Sequence, residues 1–135
     1  LMICSFMSKF KLKCAYLGFK YVDENGTQGC LGQDFSWDEC LKQNYIDLNC
    51  FAHTQEQLKI SNSHWHYNFD ESIDRLVDWD FILRITKNVR CKFLRLFLVN
   101  YYCGSKVSRI TNTVYRKKEE LIRIIQFIQN KHKTD

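Results

Sequence analysis

The stretch from Phe69 to Thr86, FDESIDRLVDWDFILRIT, constrains the fold more tightly than any other part of the chain. It is an acidic turn running into an apolar-periodic segment, and it predicts a helix from about Leu76 to Asn88. At about 100° per residue, Phe81, Ile82 and Ile85 fall within about 60° of Asp78, while Asp80, Arg84 and Lys87 fall on the opposite side. Asp80 and Arg84 then read as an i,i+4 pair on a solvated stripe, and Asp78 points toward the interior. A carboxylate aimed at a core is costly unless it is paired, caps backbone or lines a cleft. Two readings of Asp78 stand on these grounds. It caps the N–H groups of the first helical turn, where the macrodipole also favours it, or it belongs to a functional cleft.

The rest of the chain alternates between strand and helix signals. Ala15 to Val22 predicts a strand, and Asp23-Glu24-Asn25-Gly26 a tight turn into a short return. Ser36 to Gln43 predicts a helix in which Ser36 and Glu39 form a capping box. Asn44 to His53 alternates Ile46, Leu48, Cys50 and Ala52 against Asp47, Asn49, Phe51 and His53, which predicts a strand with a polar face. Gln55 to Ile60 reads as a short helix, and Ser61 to Asn68 as a polar loop. Two strands follow, Cys91 to Leu94 and Leu96 to Cys103, and then a loop from Gly104 to Asn112. Thr113 to Lys131 is an amphipathic helix with Val114, Leu121, Ile124, Ile125 and Ile128 on one face. Residues 1–14 carry no defined element. The expected class is α/β in a single domain over residues 1–135.

Length and composition bound the function classes. The 135 residues suffice for one hydrophobic core, and 45% apolar with 15% aromatic residues describes globular material. The formal net charge of +5 favours anionic partners such as nucleotide sugars, phospholipid surfaces or nucleic acid. Seven cysteines with no C-x-x-C spacing suit neither a disulfide framework nor a structural zinc site, so most are expected to be buried thiols in a reducing cytosol. The apolar run in LMICSFMSKFKLKC is too short to span a bilayer and lacks a signal-peptide layout. The chain opens on Leu, which reads as an excerpt of a longer one.

Several motifs occur in a telling order: Phe69-Asp70-Glu71-Ser72, Val77-Asp78-Trp79-Asp80 and Phe81-Ile82-Leu83-Arg84, preceded by Asn44, Ile46 and His53 and followed by Val99, Tyr101 and Tyr102. Together they resemble the acceptor-side region of family-2 glycosyltransferases. The likeness runs from about Ala15 to the start of the last helix. It implies part of a GT-A fold, the Rossmann-like nucleotide-diphospho-sugar transferase fold, without its N-terminal donor-binding half. It implies inverting transfer of a sugar from a nucleotide-sugar donor to a glycan or lipid-linked acceptor, as in polysaccharide biosynthesis at the cell envelope. Asp78 maps onto the general base. Val77 stands where the family often has an acidic residue.

The resemblance also implies what the chain lacks. The opening diphosphate-sugar strand and the metal-binding Asp-x-Asp are not found. Asp78-Trp79-Asp80 has that spelling but opens a helix, so no metal ligand is assigned. The magnesium or manganese ion of a complete enzyme is expected to be held elsewhere. The histidine that follows the tyrosine strand in many relatives is replaced by Cys103-Gly104-Ser105, leaving Lys106 and Arg109 as candidate diphosphate contacts. Asn49, Trp65 and Trp79 are candidate acceptor contacts, since aromatic rings stack on sugar faces. The His64-Trp65-His66 pattern lacks zinc-motif spacing. The expected setting is cytoplasmic, at or near the inner face of the membrane, with a missing N-terminal half as partner and no nucleic acid. The alternative is a basic module for nucleic acid or an anionic membrane surface, built on Lys9, Lys11 and Lys13 and on Lys87, Arg90, Lys92 and Arg95.

Overall fold

A computed structural model describes residues 2–61, 76–102 and 118–133. The elements are α1 (Met2–Lys9), β1 (Cys14–Asp23), β2 (Gly26–Leu31), α2 (Trp37–Lys42), a 3-10 turn (Leu48–Cys50), β3 (Phe51–His53), α3 (Gln55–Ser61), α4 (Val77–Thr86), β4 (Cys91–Tyr102) and α5 (Lys118–Lys133). The architecture is mixed α/β, with a four-stranded mixed sheet organised around β1.

β1 is the hub because neighbouring residues of its first half, Cys14, Ala15, Tyr16, Gly18 and Phe19, are buried and so fill both faces of the sheet. Its first half pairs antiparallel with β3 (Cys14 with His53, Tyr16 with Phe51) and its second half antiparallel with β2 (Phe19 with Leu31, Asp23 with Gly26). β4 runs parallel to it from Cys14–Cys91 to Val22–Tyr102. Since β4 overlaps both halves, it takes one edge of β1 while β2 and β3 share the other. The β1–β2 hairpin turns on Gly26 at φ 102, as the Asn-Gly signal predicts, with Asp23 Oδ1 accepting from the Asn25 N–H at 2.7 Å.

Three sequence expectations are corrected here. Residues 1–14 do form an element, α1, closed by a C-terminal motif described below. The two strands expected at Cys91 to Cys103 are one, β4. Arg95 adopts φ 53 within it and the register slips between Tyr16 and Phe19, so β4 carries extra residues opposite β1 as a bulge. The strand expected over Asn44 to His53 survives only as Phe51–His53. The Asp47 carboxylate accepts the Asn49 backbone N–H at 2.8 Å and turns the chain into the 3-10 segment, so a local side-chain bond overrides the period-two pattern.

Gly18 illustrates how closely the β1–β4 seam packs. A Cβ there would lie 2.4 Å from the Phe97 ring and 2.9 Å from the Leu31 carbonyl oxygen. Gly18→Ala is therefore expected to cost about 2 kcal/mol, since overpacking a filled site forces both neighbours to move. A urea titration of the two proteins checks it, and an unchanged midpoint would mean that the seam yields.

α4 supplies the centre of the core. Trp79, Phe81, Ile82, Leu83 and Ile85 are all buried, against Tyr16, Cys40, Tyr45, Ile46, Phe93 and Ile128. α2 forms with Ser36 as N-cap, its side chain accepting the Glu39 N–H as the capping box requires. α5 lays Ile124, Ile125 and Ile128 on this core, in keeping with the predicted amphipathic face. Cys14, Cys40, Cys50 and Cys91 are buried thiols, whereas Cys4 and Cys30 are exposed. Among the described residues no helix is long and apolar enough to cross a membrane.

Candidate functional site

The helix carrying the two aspartates is satisfied at its C-terminal end by side chains. At its C terminus, where four carbonyls lack intrahelical partners, Leu83 O accepts from Trp37 Nε1 at 3.2 Å and Ile85 O from Gln57 Nε2 at 2.9 Å. At its N terminus Leu76 sits in the left-handed region (φ 58) and offers no side-chain cap. The backbone N–H groups of Asp78 and Trp79 lie close enough to favour the charged form of the Asp78 carboxylate there.

Capping is not all that surrounds Asp78. Asn44 Nδ2 lies 3.4 Å from its Oδ2, and the Asp47 carboxylate adds a like charge nearby. The side chain is half-buried. Burial pushes its carboxyl above the ordinary carboxylate value and Asp47 adds to the rise, while the two backbone N–H groups and Asn44 oppose it. Asp78 is therefore held by the helix start yet tuned toward proton acceptance.

Its place in the fold also matters. Ile85, near the end of α4, lies against Cys14 at the start of β1, with Cys14 Sγ 3.9 Å from Ile85 O. The helix runs back along the sheet from there, and its start, with Asp78, lies beside Asn44 and the segment that leads to the 3-10 turn.

Asp80 contradicts the sequence expectation outright. It is not on a solvated stripe but fully buried, because α5 covers that side of α4. Its Oδ1 accepts from Lys131 Nζ and from His132 Nε2, both at 2.9 Å, and Arg84 Nη2 stands 3.5 Å from Oδ2. The i,i+4 pair with Arg84 exists, but as one arm of a buried network. Desolvation alone would raise the Asp80 carboxyl, yet the bonds from His132 and Lys131 and the charges of Lys131 and Arg84 hold it below the ordinary value of 3.8. Lys87, assigned to the same stripe, is half-buried as well, 3.5 Å from the His132 carbonyl and over the Trp37 ring.

The sign of the pH dependence follows from these directions. A lowered carboxyl pKa stabilises the fold fully above the unfolded value, near 3.8, and that contribution disappears as pH falls through the lower folded value. Asp78 works in reverse: its buried charge costs stability at neutral pH, and the cost is relieved as pH falls through its raised value. Denaturation midpoints of the wild type and Asp80→Asn are therefore expected to converge below about pH 4, and a gap that persists in stronger acid would refute the charge-based account.

The remaining candidates separate. Trp79 is 2% exposed, and its Nε1 donates to Cys40 O at 2.7 Å, so its ring is core and offers no face for a sugar to stack on. Asn49 lies in the 3-10 segment rather than on a strand, and its side-chain amide donates to Asp47 Oδ1 at 2.9 Å. Trp65, Lys106 and Arg109 lie outside the described residues, as do the Phe69-Asp70-Glu71 turn and the His64-Trp65-His66 pattern. Among the described residues no group of three His, Cys, Asp or Glu is placed to hold a metal ion. Within the basic runs Lys13 pairs with Glu56, and Arg95 with Asp34 at 2.8 Å.

Sequence reasoning missed Asn44 as a partner of Asp78. The signal was present, since Asn44 stands at the head of the segment that faces the helix start. It was read there only as a strand residue. Fold and site together define a mixed α/β domain with a half-buried carboxylate, Asp78, beside Asn44 and Asp47. No family model matches the chain, and no curated protein matches it either.

Proposed function

We propose that this chain forms the acceptor side of an inverting, family-2-like glycosyltransferase with a GT-A-type fold, and that Asp78 is its base. The observation that supports this best is the environment of Asp78: a half-buried carboxylate with a raised pKa at the start of α4, beside the polar groups of Asn44 and Asp47. A base is most effective when its pKa approaches the working pH, and burial moves Asp78 that way.

In this reading Asp78 accepts the proton of the acceptor hydroxyl as that oxygen attacks the anomeric carbon. The bond from that carbon to the nucleoside diphosphate breaks, and the electron pair leaves with the diphosphate. Asn44, whose Nδ2 lies 3.4 Å from Oδ2, holds one carboxylate oxygen and leaves the other to take the proton. A divalent cation would stabilise the leaving group in a complete enzyme, but the described residues provide no ligand set for it, and no step is assigned to it here. The described residues supply no donor site, and Lys106 and Arg109, the candidate diphosphate contacts, lie outside them.

The test has two parts. The purified 135-residue chain, mixed with nucleotide-sugar donors and either metal, is expected to show neither transfer nor donor hydrolysis. The same chain is expected to bind saccharides, with NMR shift changes gathered at Asn44, Asp47 and Asp78. Turnover by the chain alone would overturn the division into two sides. A saccharide panel that leaves those three residues unmoved would remove the acceptor reading altogether.

A further inference from the structure

A cavity of about 470 Å³ opens away from Asp78, between α1, the loop joining α1 to β1, and β3. Its size falls in the roughly 300–1,000 Å³ range of small-molecule sites. The floor is apolar, with Met7 and Leu12 both buried in one cluster. The rim is cationic, formed by Lys11 and Lys13, and Lys13 also pairs with Glu56 outside the lining. Among the described residues no carboxylate lines it.

The way α1 ends is informative. Leu12 N donates to Met7 O at 2.9 Å and Lys11 N to Ser8 O at 3.3 Å, which is the bond pattern of a Schellman motif. The residue after the cap in that motif takes the left-handed conformation and is usually glycine, because a Cβ is disfavoured there. Here it is Lys11, at φ 51. The backbone thus carries a lysine where glycine is conformationally cheaper, and this lysine stands at the mouth of the cavity. It places an ammonium among the groups that line an apolar hollow.

The geometry points to a binding site for a small organic anion, with a carboxylate or phosphate head at Lys11 and Lys13 and an apolar body over Met7 and Leu12. It is separate from the Asp78 site and does not depend on the transferase reading. Cys4, exposed and part of the lining, provides the reporter. Its alkylation rate is followed by peptide mapping in the intact chain, with exposed Cys30 as internal control.

Phenyl phosphate or phenylacetate at ten times its Kd is expected to slow alkylation of Cys4 about tenfold and leave Cys30 unchanged, because only the free fraction reacts. Lys11→Gly removes the charge while easing the backbone. It is expected to keep or raise the melting temperature and to lose most of the protection. Protection by one head and not the other supports the site and identifies the head. Three results would overturn it: neither compound protects Cys4, benzyl alcohol protects as well as the anions, or inorganic phosphate protects as well as the aryl compounds.

Discussion

Asp78→Asn is expected to lower sugar transfer by about 10²- to 10⁴-fold, the usual worth of a positioned general base. The assay requires the donor-binding side to be present. The amide keeps the shape of the carboxylate, and its oxygen can still face the nearby N–H groups, so the fold should survive. Because the carboxyl pKa is raised in the fold, the charged form is held at a cost. Removing the charge should therefore leave stability unchanged or slightly higher at neutral pH. This pairing of lost activity with undiminished stability separates a base from a cap. If Asp78→Asn unfolds the protein, its bonds to the helix start are its main role. If transfer survives, the base lies elsewhere.

The second large effect is on stability. Asp80→Asn is expected to destabilise the fold by about 3 kcal/mol, near the lower end for breaking a buried ion pair, since Lys131 and Arg84 keep some contact with solvent. The carboxylate faces Lys131, His132 and Arg84 together, and without its charge these groups are left crowded in a dry site. Faster amide exchange along α5, ahead of α4, is the expected signature, because the lost bonds are those that hold the C-terminal helix down. Lys131→Met should couple to Asp80→Asn in a double-mutant cycle. Strict additivity would mean that Lys131 and Asp80 do not act on each other across the α4–α5 contact.

The contrast between the two aspartates shows what sequence alone reveals here. Elements with local signals were legible: the Asn25-Gly26 hairpin turn, the Ser36 and Glu39 capping box and the periodic core of α4. Their causes lie within a few residues of the chain. The burial of Asp80 was not legible, because its partners arrive from α5, far along the sequence, and an i,i+4 cation made a solvated pair the simpler reading. A helix covered on nearly every side has no polar stripe for periodicity to find. The strand expected at Asn44 to His53 failed for the opposite reason: the Asp47 side chain competed locally for a backbone N–H and won. The candidate base was legible as a carboxylate on the apolar side. Its companion Asn44 became apparent only when the segments were brought together.

The hub position of β1 has a consequence for how the chain reaches this state. During synthesis β1 and β2 emerge early and can close at once, since their turn is short. The other edge of β1 must wait for β4, which is made only after α4. Long-range parallel pairing closes slowly, because a large loop must be ordered before any contact offsets it. Meanwhile the aromatic edge from Tyr16 to Tyr21 lies open to strands of other nascent chains. Recovery of folded protein should therefore fall as refolding concentration rises, and a helper that shields that edge until β4 arrives should restore it.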